Sequence, residues 1–229
     1  MPAYDGLLLD HDGVLVTFGD SDALRDAARE ALARAGLPDP PADTVETLRV
    51  SVSPTALDRV ATRHDLDPAT LWRHRDDSIA AALRAEVRAG RKAPYDDVGR
   101  LAALDRPVGV VSNNQQRFVE FALDHYDLAD GVDTVHAREP TVESLHRKKP
   151  EPTYLEAAMA DLGVANPLYV GDSESDVVAG QRAGVDTAFL RRPHRNGHRL
   201  DVEPTYDLES LDAAVDLVSD RSDPGSTVT

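Results

Sequence analysis

Two pairs of aspartates, each close behind a short apolar run, are the residues of this sequence best suited to chemistry on a phosphate ester. The first pair is Asp10 and Asp12, and the second is Asp172 and Asp176. An ionised aspartate can attack phosphorus, while a second carboxyl group can protonate the leaving alkoxide and later deprotonate the attacking water. Carboxylate oxygens also suit Mg²⁺. The alternative for each pair is local: a turn at the strand end, or a cap on the next helix.

Further positions could hold a phosphate group. Gly13 lets the backbone approach a phosphate closely. Ser112 and Asn113 follow an apolar run, where a hydroxyl group can hydrogen-bond a phosphoryl oxygen, although Ser-Asn-Asn is also typical of a helix N-cap. Lys149 could neutralise phosphate charge as a point cation, and the alternative is that it and Lys148 are solvated. These positions form a phosphate site only if the fold brings them together.

The composition limits the metals and partners of the protein. The 229 residues include no cysteine, so any metal must be held by oxygen or histidine. The net charge of −16 makes nucleic acid an unfavourable partner, because phosphate neutralisation needs a basic surface. Only three of the 25 basic residues are lysine, and an acidic surface so poor in lysine resembles proteins of salt-loving archaea. The alternative is a GC-rich genome that favours arginine codons.

Nothing in the sequence predicts contact with a membrane. The apolar runs are far shorter than the roughly 20 residues that span a bilayer. The N-terminal residues show neither a basic segment nor a long apolar one. We therefore expect a cytoplasmic protein without a signal peptide and without a membrane partner.

Short apolar strands alternate with helices, mostly in the second half of the chain. Strands are predicted at residues 5–10, 108–111, 132–136, 168–170 and 187–190, and helices at residues 115–125, 152–162 and 175–183. This alternation predicts an α/β fold with a doubly wound parallel sheet that carries helices on both faces. Ligands of such sheets bind beyond the carboxyl ends of the strands, and the candidate residues above follow strands.

The stretch between the first two strands contains only helical patterning. Ser21, Ser53 and Asp67 are suitable N-caps, and a proline in the first turn follows the last two. A long alanine-rich helix is expected to end near Gly90. This part of the chain is therefore predicted to be an all-helical insert.

These patterns predict two domains. The α/β core comprises residues 1–18 and 92–218, and a helical cap comprises residues 19–91. Both connections between them contain glycine, so the cap could open for a substrate, close over it and select it. The polar residues 219–229 are expected to form a flexible tail.

The four segments that carry the candidate residues resemble, in this order, the four signature motifs of the haloacid dehalogenase superfamily. Asp-x-Asp-Gly-Val begins at Asp10, Ser112 matches the second motif, Lys149 lies in Lys-Pro-x-Pro, and Gly-Asp-Ser-x-x-Asp ends at Asp176. The resemblance extends over roughly residues 5–190. It implies the superfamily's Rossmann-type core with a helical cap between the first two motifs.

The resemblance also implies roles for the acidic residues. Asp10 would be the nucleophile and a Mg²⁺ ligand. Asp12 would be the general acid and base, with its main-chain carbonyl on the metal. Asp172 would be a direct metal ligand. Asp176 would act from outside the metal shell, where it holds a metal-bound water or Lys149.

The phosphate contacts follow from the same resemblance. Ser112 and Lys149 would hold the transferring phosphoryl group, and Gly13 and Asn113 are expected at the same site. The implied substrate is a small phosphorylated metabolite, such as a phosphoglycolate-like acid or a sugar phosphate. The protein is expected to be a monomer or a weak homodimer.

Three other functions stay open. Asp12 favours a phosphatase over a haloacid dehalogenase, because carbon–halogen cleavage needs no acid for an alkoxide. A sugar-phosphate mutase would need a cap that positions a second phosphate, and residues 14–22 show no recognisable version of that pattern. The last alternative is a catalytically quiet protein that binds a phosphorylated ligand or a protein partner.

Several polar residues have two interpretations. His11 could orient a neighbour or serve only packing. Residues 72–75, Trp-Arg-His-Arg, could line the face of the cap that meets the substrate, or Trp72 could lie in the cap's own core. The basic cluster at residues 191–195 could reach an anionic substrate or only balance an acidic surface. Arg91 and Lys92 lie in the second connection between cap and core.

Overall fold

A six-stranded parallel sheet forms the centre of the computed structural model, which describes residues 4–219. The strands are β1 (Leu7–Leu9), β2 (Val108–Gln115), β3 (Thr134–Arg138), β4 (Leu168–Gly171), β5 (Thr187–Leu190) and β6 (Tyr206–Leu208). Their order across the sheet is β3-β2-β1-β4-β5-β6, so the sheet is wound outward from β1 in both directions. The predicted Rossmann-like, doubly wound fold is confirmed.

Helices cover both faces of the sheet, because successive side chains of a strand point to opposite sides. The helices of the sheet region are α5 (Gln116–His125), α6 (Thr153–Leu162), α7 (Glu174–Ala183) and α8 (Leu211–Ser219). Leu7 and Leu9 belong to one buried cluster, with side chains from α5 and α8. Leu8, between them, belongs to another, with side chains from α6 and α7. The sheet is therefore the middle of three layers.

The strand register brings distant parts of the sequence to one edge of the sheet. Leu9 is in register with Val110 of β2 on one side and with Val170 of β4 on the other. The backbone N–H of Asp10 donates to the carbonyl of Val170 at 2.9 Å, which fixes the start of the loop after β1. The residues that follow these three central strands therefore meet at their carboxyl ends.

Residues between β1 and β2 form four helices with a core of their own. These helices are α1 (Ser21–Arg34), α2 (Ala42–Arg49), α3 (Pro54–Arg63) and α4 (Pro68–Arg88). Their buried cluster includes Leu32, Leu48 and Trp72. A further cluster joins α4 to α5 through Ile79 and Phe118, so this helical insert also packs against the core.

The helix boundaries follow local capping chemistry. Ser53 and Asp67 are N-caps whose side chains accept backbone N–H groups of α3 and α4, as predicted. The prediction that Ser21 is an N-cap is wrong, because Asp20 accepts the N–H of Asp22 at 2.8 Å and Ser21 is the first helical residue. Helix α4 ends at Arg88, close to the predicted end. Within residues 4–219, no helix is long and apolar enough to cross a membrane.

The structure also differs from the sequence prediction in its strands. Strand β2 continues through residue 115, so Ser112 is not a helix N-cap, and its register with β3 shifts between Ser112 and Gln115. Neither β6 nor α8 was predicted. β6 has only three residues, none of them fully buried, and so it lacks the apolar run that marks the other strands. Helix α8 reaches Ser219, and the rest of the predicted tail, residues 220–229, lies outside the described part of the chain.

Candidate active site

The predicted site residues meet at the carboxyl edge of the sheet. A cavity of about 550 Å³ opens there, and its walls include Asp10, Ser112, Lys149 and Asp172. The opposite wall comes from the helical insert and includes Trp72. The insert therefore lies over the edge that carries the candidate catalytic residues, and not on a distant face.

Asp10 is a buried carboxylate with a cationic neighbour. It is 9% exposed, and its Oδ1 lies 2.9 Å from Lys149 Nζ. The backbone N–H of His11 donates to the same oxygen at 2.7 Å. Burial raises the pKa of Asp10 to about 8, although the charge of Lys149 opposes this rise. A cation bound at this carboxylate would favour its ionised form, which is the form that a nucleophile needs.

Lys149 connects two of the aspartates. Its buried Nζ lies 2.9 Å from Asp10 and 2.7 Å from Asp176, and it donates to the Tyr169 hydroxyl at 2.8 Å. Burial would lower the pKa of Lys149, but the two carboxylates outweigh burial and raise it. Lys149 is therefore held as a cation beside the candidate nucleophile.

Asn113 fixes the main chain of Lys149. Its side-chain oxygen accepts from Lys149 N at 2.7 Å, and its side-chain nitrogen donates to Lys149 O at 3.0 Å. The predicted contact between Asn113 and phosphate stays a prediction, and in this structure the amide is engaged by the backbone. Ser112 is 2% exposed, and its Oγ accepts from the Asn114 backbone N–H at 3.1 Å. Its hydroxyl hydrogen can still be donated to a phosphate.

Asp12 lies in a network that the sequence did not predict. Its Oδ1 is 2.7 Å from both Lys92 Nζ and His11 Nδ1, and its Oδ2 accepts from Asn114 Nδ2 at 2.9 Å. Burial tends to raise the pKa of Asp12, but the Lys92 charge and the His11 contact lower it. Lys92 is 0% exposed. Its rarity was the only sequence signal, since it is one of three lysines in the chain.

Three carboxylates converge on a space that could hold a metal. One oxygen from each of Asp10, Asp172 and Asp176 lies within 4.8 Å of the other two. Burial and the neighbouring Asp176 raise the pKa of Asp172. Crowded, buried, hard oxygen donors of this kind fit Mg²⁺, whose charge would offset their repulsion.

The contacts of Asp172 and Asp176 differ. Asp176 accepts from the Ser173 backbone N–H at 3.0 Å and from the Tyr169 hydroxyl at 2.8 Å, besides its contact with Lys149. Burial raises its pKa, but Lys149 outweighs burial and lowers it. These contacts occupy Asp176 within the protein, and its predicted role outside the metal shell stays a prediction. The Asp172 carboxylate contacts His194 and Arg195 of the loop after β5.

The basic cluster at residues 191–195 is divided between two tasks. His194 Nε2 lies 2.6 Å from Asp172 Oδ2, and Arg195 Nε donates to the same oxygen at 3.1 Å. Arg191 instead pairs with Asp207, and Arg192 pairs with Asp97. Only part of the cluster therefore reaches the site.

Gly13 has a reason for being glycine that the sequence did not reveal. Its φ is +81°, a region that side chains rarely adopt, and a Cβ at this position would overlap the Asp172 carboxylate. The loop after β1 can therefore pass close to the candidate metal ligand only without a side chain.

The residues of the helical insert have distinct positions. Trp72 is 2% exposed, belongs to the core of the insert and also lines the cavity, so both interpretations hold in part. Arg75 is 7% exposed and lines the cavity, whereas Arg73 is exposed and lies outside it. His11 is fully buried, with its ring edge-on to Phe118 at 5.8 Å, so it serves packing as well as contacting Asp12.

Comparison with known proteins agrees with this architecture. Residues 4–184 match the sequence pattern of a family described as "haloacid dehalogenase-like hydrolase". CbbY of Rhodobacter sphaeroides, solved in complex with phosphate, superposes with a TM-score of 0.66 over 90% of this chain and 94% of its own, at 19% identity. At that identity the likeness shows the fold alone. Because the family match covers most of the chain, this protein belongs to the haloacid dehalogenase-like hydrolases.

Two curated relatives are similar over part of their length. Pyrophosphatase PpaX of Oceanobacillus iheyensis is 29% identical over 130 residues, which are 55% of this chain and 58% of the relative. Phosphoglycolate phosphatase of Pseudomonas putida is 30% identical over 125 residues, which are 53% of this chain and 43% of the relative. The matched region thus spans about half the length of these relatives.

Proposed function

We propose that this protein is a Mg²⁺-dependent phosphatase that hydrolyses a small phosphorylated metabolite through an aspartyl-phosphate intermediate. The observation that carries the proposal is the pairing of Asp10 with Lys149 at 2.9 Å, beside Asp172, on the floor of the cavity. An anionic nucleophile, a cation for the phosphoryl group and a candidate metal ligand are thereby within reach of one bound phosphate. The hydrolase family and the phosphatase relatives support the same reaction class.

In the first half of the reaction, a carboxylate oxygen of Asp10 attacks phosphorus, and the ester P–O bond breaks. The leaving alkoxide takes a proton from Asp12. In the second half, Asp12 accepts a proton from water as that water attacks the phosphorus of the acyl phosphate. Inorganic phosphate leaves, and Asp10 is restored as a carboxylate.

The contacts of Asp12 suit one half of this reaction better than the other. Lys92 and His11 favour its ionised form, which is the form required of a base. To act as an acid, Asp12 must exchange these contacts for the leaving oxygen of the substrate. We propose that substrate binding brings about this exchange.

The remaining residues hold the phosphoryl group and the metal. Lys149 and Ser112 would bind phosphoryl oxygens, with Gly13 and Asn113 shaping the loops around them. The metal ligands would be Asp10, the main-chain carbonyl of Asp12, and Asp172, with Asp176 holding Lys149 in place. Bound Mg²⁺ would offset the repulsion between the nucleophilic carboxylate and the phosphate.

We further propose that the helical insert is a cap. In this division, residues 1–18 and 92–218 form the core that breaks the bond, and residues 19–91 form the cap that selects the substrate. The position of Trp72 and Arg75 in the cavity wall supports this role for the insert. Closure would exclude water other than the hydrolytic one.

The names of two relatives, a pyrophosphatase and a phosphoglycolate phosphatase, support a small phosphorylated molecule as the substrate. We propose a phosphoglycolate-like acid or a sugar phosphate as substrate, with neither nucleic acid nor membrane as partner. A cytoplasmic location, salt adaptation and a monomer or weak homodimer complete the proposal.

The test is release of inorganic phosphate from a panel of phosphorylated metabolites, in molar KCl with Mg²⁺. Asp10→Asn should lower turnover about a thousandfold or more, because it removes an anionic nucleophile. Asp26→Asn is the matched control, since Asp26 lies on the exposed surface of α1 and pairs with Arg29, away from the cavity. Turnover by Asp10→Asn close to that of the unaltered protein would contradict the mechanism. Isomerised substrate without phosphate release would indicate a mutase.

A further inference from the structure

The cavity has two chemically different ends. The carboxylates among its lining residues all lie at the catalytic end, at the carboxyl edge of the sheet: Asp10, Asp12, Asp172 and Asp176. At the other end, toward the helical insert, the charged lining residues are cations. The lining also includes apolar side chains, among them those of Val52 and Leu145.

Two of these cations contact the indole ring of Trp72. The guanidinium of Arg138 lies 4.6 Å from the ring centre, and that of Arg75 lies 5.1 Å from it. Both are buried, and they share one buried carboxylate, Asp76, at 2.7 Å from Arg138 and 3.4 Å from Arg75. The indole N–H of Trp72 has no hydrogen-bond partner within residues 4–219, so a buried donor is also left over at this end.

Lys148 is the third cation at this end of the cavity. Its Nζ donates to the carbonyl of Val52 at 2.5 Å, and no ion pair joins it to a carboxylate of residues 4–219. Burial and the charges of Arg138 and Arg75 lower the pKa of Lys148 to about 8. Among residues 4–219, these three cations share one paired carboxylate, Asp76, and an anion in the cavity would relieve this unfavourable arrangement.

The neighbouring residues Lys148 and Lys149 divide the cavity between them. Lys149 points to Asp10 and Asp176, whereas Lys148 reaches the loop of the insert at Val52. One ligand could therefore contact both lysines with two separate anionic groups. The other cation in this wall, Arg49, is already paired with Glu46 at 2.9 Å.

We propose that Arg75, Arg138 and Lys148 form a subsite for a second anionic group of the substrate. The preferred substrate is then a phosphate monoester that also carries a carboxylate or a second phosphate. This inference rests on the proposed phosphatase function. Residues of both the insert and the core would then select the substrate by its second anionic group. The competing explanation is that these cations only fasten the insert to the core, as the bonds from Arg75 to Leu48 O and Arg49 O at 3.0 Å allow.

Direct binding can be measured without turnover, because Trp72 is the sole tryptophan of the chain and lies inside the subsite. In the Asp10→Asn background with Mg²⁺, ethyl phosphate, phosphoglycolate and ethanediol bisphosphate are titrated by tryptophan fluorescence and by calorimetry. We expect the two doubly anionic ligands to bind about tenfold more tightly than ethyl phosphate, or better, since each charge-assisted contact is worth about that factor. Comparison of the carboxylate with the bisphosphate identifies which anion the subsite prefers.

Variants of Lys148 separate anion binding from fastening. In the same background, Lys148→Met should abolish the preference for doubly anionic ligands and leave ethyl phosphate binding unchanged, whereas Lys148→Arg should retain the preference. Arg147→Met is the matched control, because Arg147 pairs with Glu139 and does not line the cavity. Thermal unfolding shows whether each variant is folded.

Two results would overturn the subsite. One is equal or undetectable binding of singly and doubly anionic ligands to the Asp10→Asn protein in both measurements. The other is an equal loss for all ligands in folded Lys148→Met. Failure of the phosphatase proposal is measured separately, with the unaltered protein. If that protein releases phosphate from none of the three compounds while the Asp10→Asn protein keeps its binding preference, catalysis is refuted and the subsite is retained.

Discussion

Lys92 Nζ lies 2.7 Å from Asp12 Oδ1 and 2.6 Å from the carbonyl of Thr17, so one buried cation holds both the candidate acid–base residue and the connection that leads into the helical insert. Lys92 itself lies in the connection that leads back to the core. The state of Asp12 is therefore linked to the geometry of both connections. Because proton transfer requires Asp12 to contact the substrate, Lys92 is expected to influence catalysis as well as stability.

Lys92→Met should lower the free energy of unfolding by about 3 kcal/mol, because it leaves a mostly buried carboxylate without its cation. It should also lower kcat by at least about tenfold, since Asp12 loses the group that orients it. Chemical unfolding and steady-state kinetics measure the two effects. Arg100→Met, which removes an exposed cation that pairs with Asp216, should change neither by much. An active, stable Lys92→Met protein would contradict this role.

Gly13→Ala should abolish most activity, because a Cβ at residue 13 would overlap the Asp172 carboxylate. Alanine would also have to adopt the φ of +81° that glycine has at this position. Gly163→Ala is the matched control: it has a φ of +66° with open space around the new methyl group. The control should lose only about 1–2 kcal/mol of stability and keep its kcat. Equal kcat values for the two variants would show that Gly13 serves conformation alone.

Mg²⁺ should be required for turnover, and Ca²⁺ should inhibit it, because the looser coordination of Ca²⁺ spoils the alignment for in-line attack. Asp172→Asn should raise the Mg²⁺ concentration needed for half-maximal activity by at least about tenfold. Asp161→Asn, at an exposed carboxylate that pairs with His136, should not alter it. Full activity in excess chelator would refute the metal requirement.

The affinity for doubly anionic substrates should fall as the pH rises. Lys148 is protonated below its pKa of about 8 and loses its positive charge above it. KM for phosphoglycolate should therefore rise above that pH, while KM for ethyl phosphate should not. Kinetics between about pH 6.5 and 9.5 test this, and Lys148→Arg should flatten the profile because guanidinium stays charged over that range. A flat profile for the unaltered protein would contradict the predicted titration.

The thermal midpoint should rise from low salt to molar KCl, because screening reduces the self-repulsion of a chain with a net charge of −16. Differential scanning calorimetry across KCl concentrations measures this directly. Sucrose at matched osmolality is the control for solvent effects that do not involve charge. A midpoint independent of KCl would attribute the arginine bias to the genome.

The sequence by itself determined five of the six strands, the N-caps of α3 and α4, and the aspartates that line the cavity. Strand β5 occupies the predicted residues 187–190, and α3 and α4 begin after the predicted N-caps. These features depend on neighbours in the chain: an apolar run buries a strand, and a side-chain oxygen caps the N–H groups that follow it. Parallel strands then bring Asp10 and Asp172 together, because their carboxyl ends share one edge.

Only the tertiary structure decided which charges meet. Lys92 contacts Asp12 from 80 positions away in the chain, and Arg138 pairs with Asp76 from 62 positions away. The motif around Lys149 placed that lysine at the phosphate site, but nothing in the sequence assigned a partner to Lys148, which packing directs to the helical insert. No local pattern encodes such partners, because the energy of a buried charge depends on groups that distant segments bring to it. For the same reason Arg75, although arginine is a residue type that is mostly exposed, lies buried in the cavity wall.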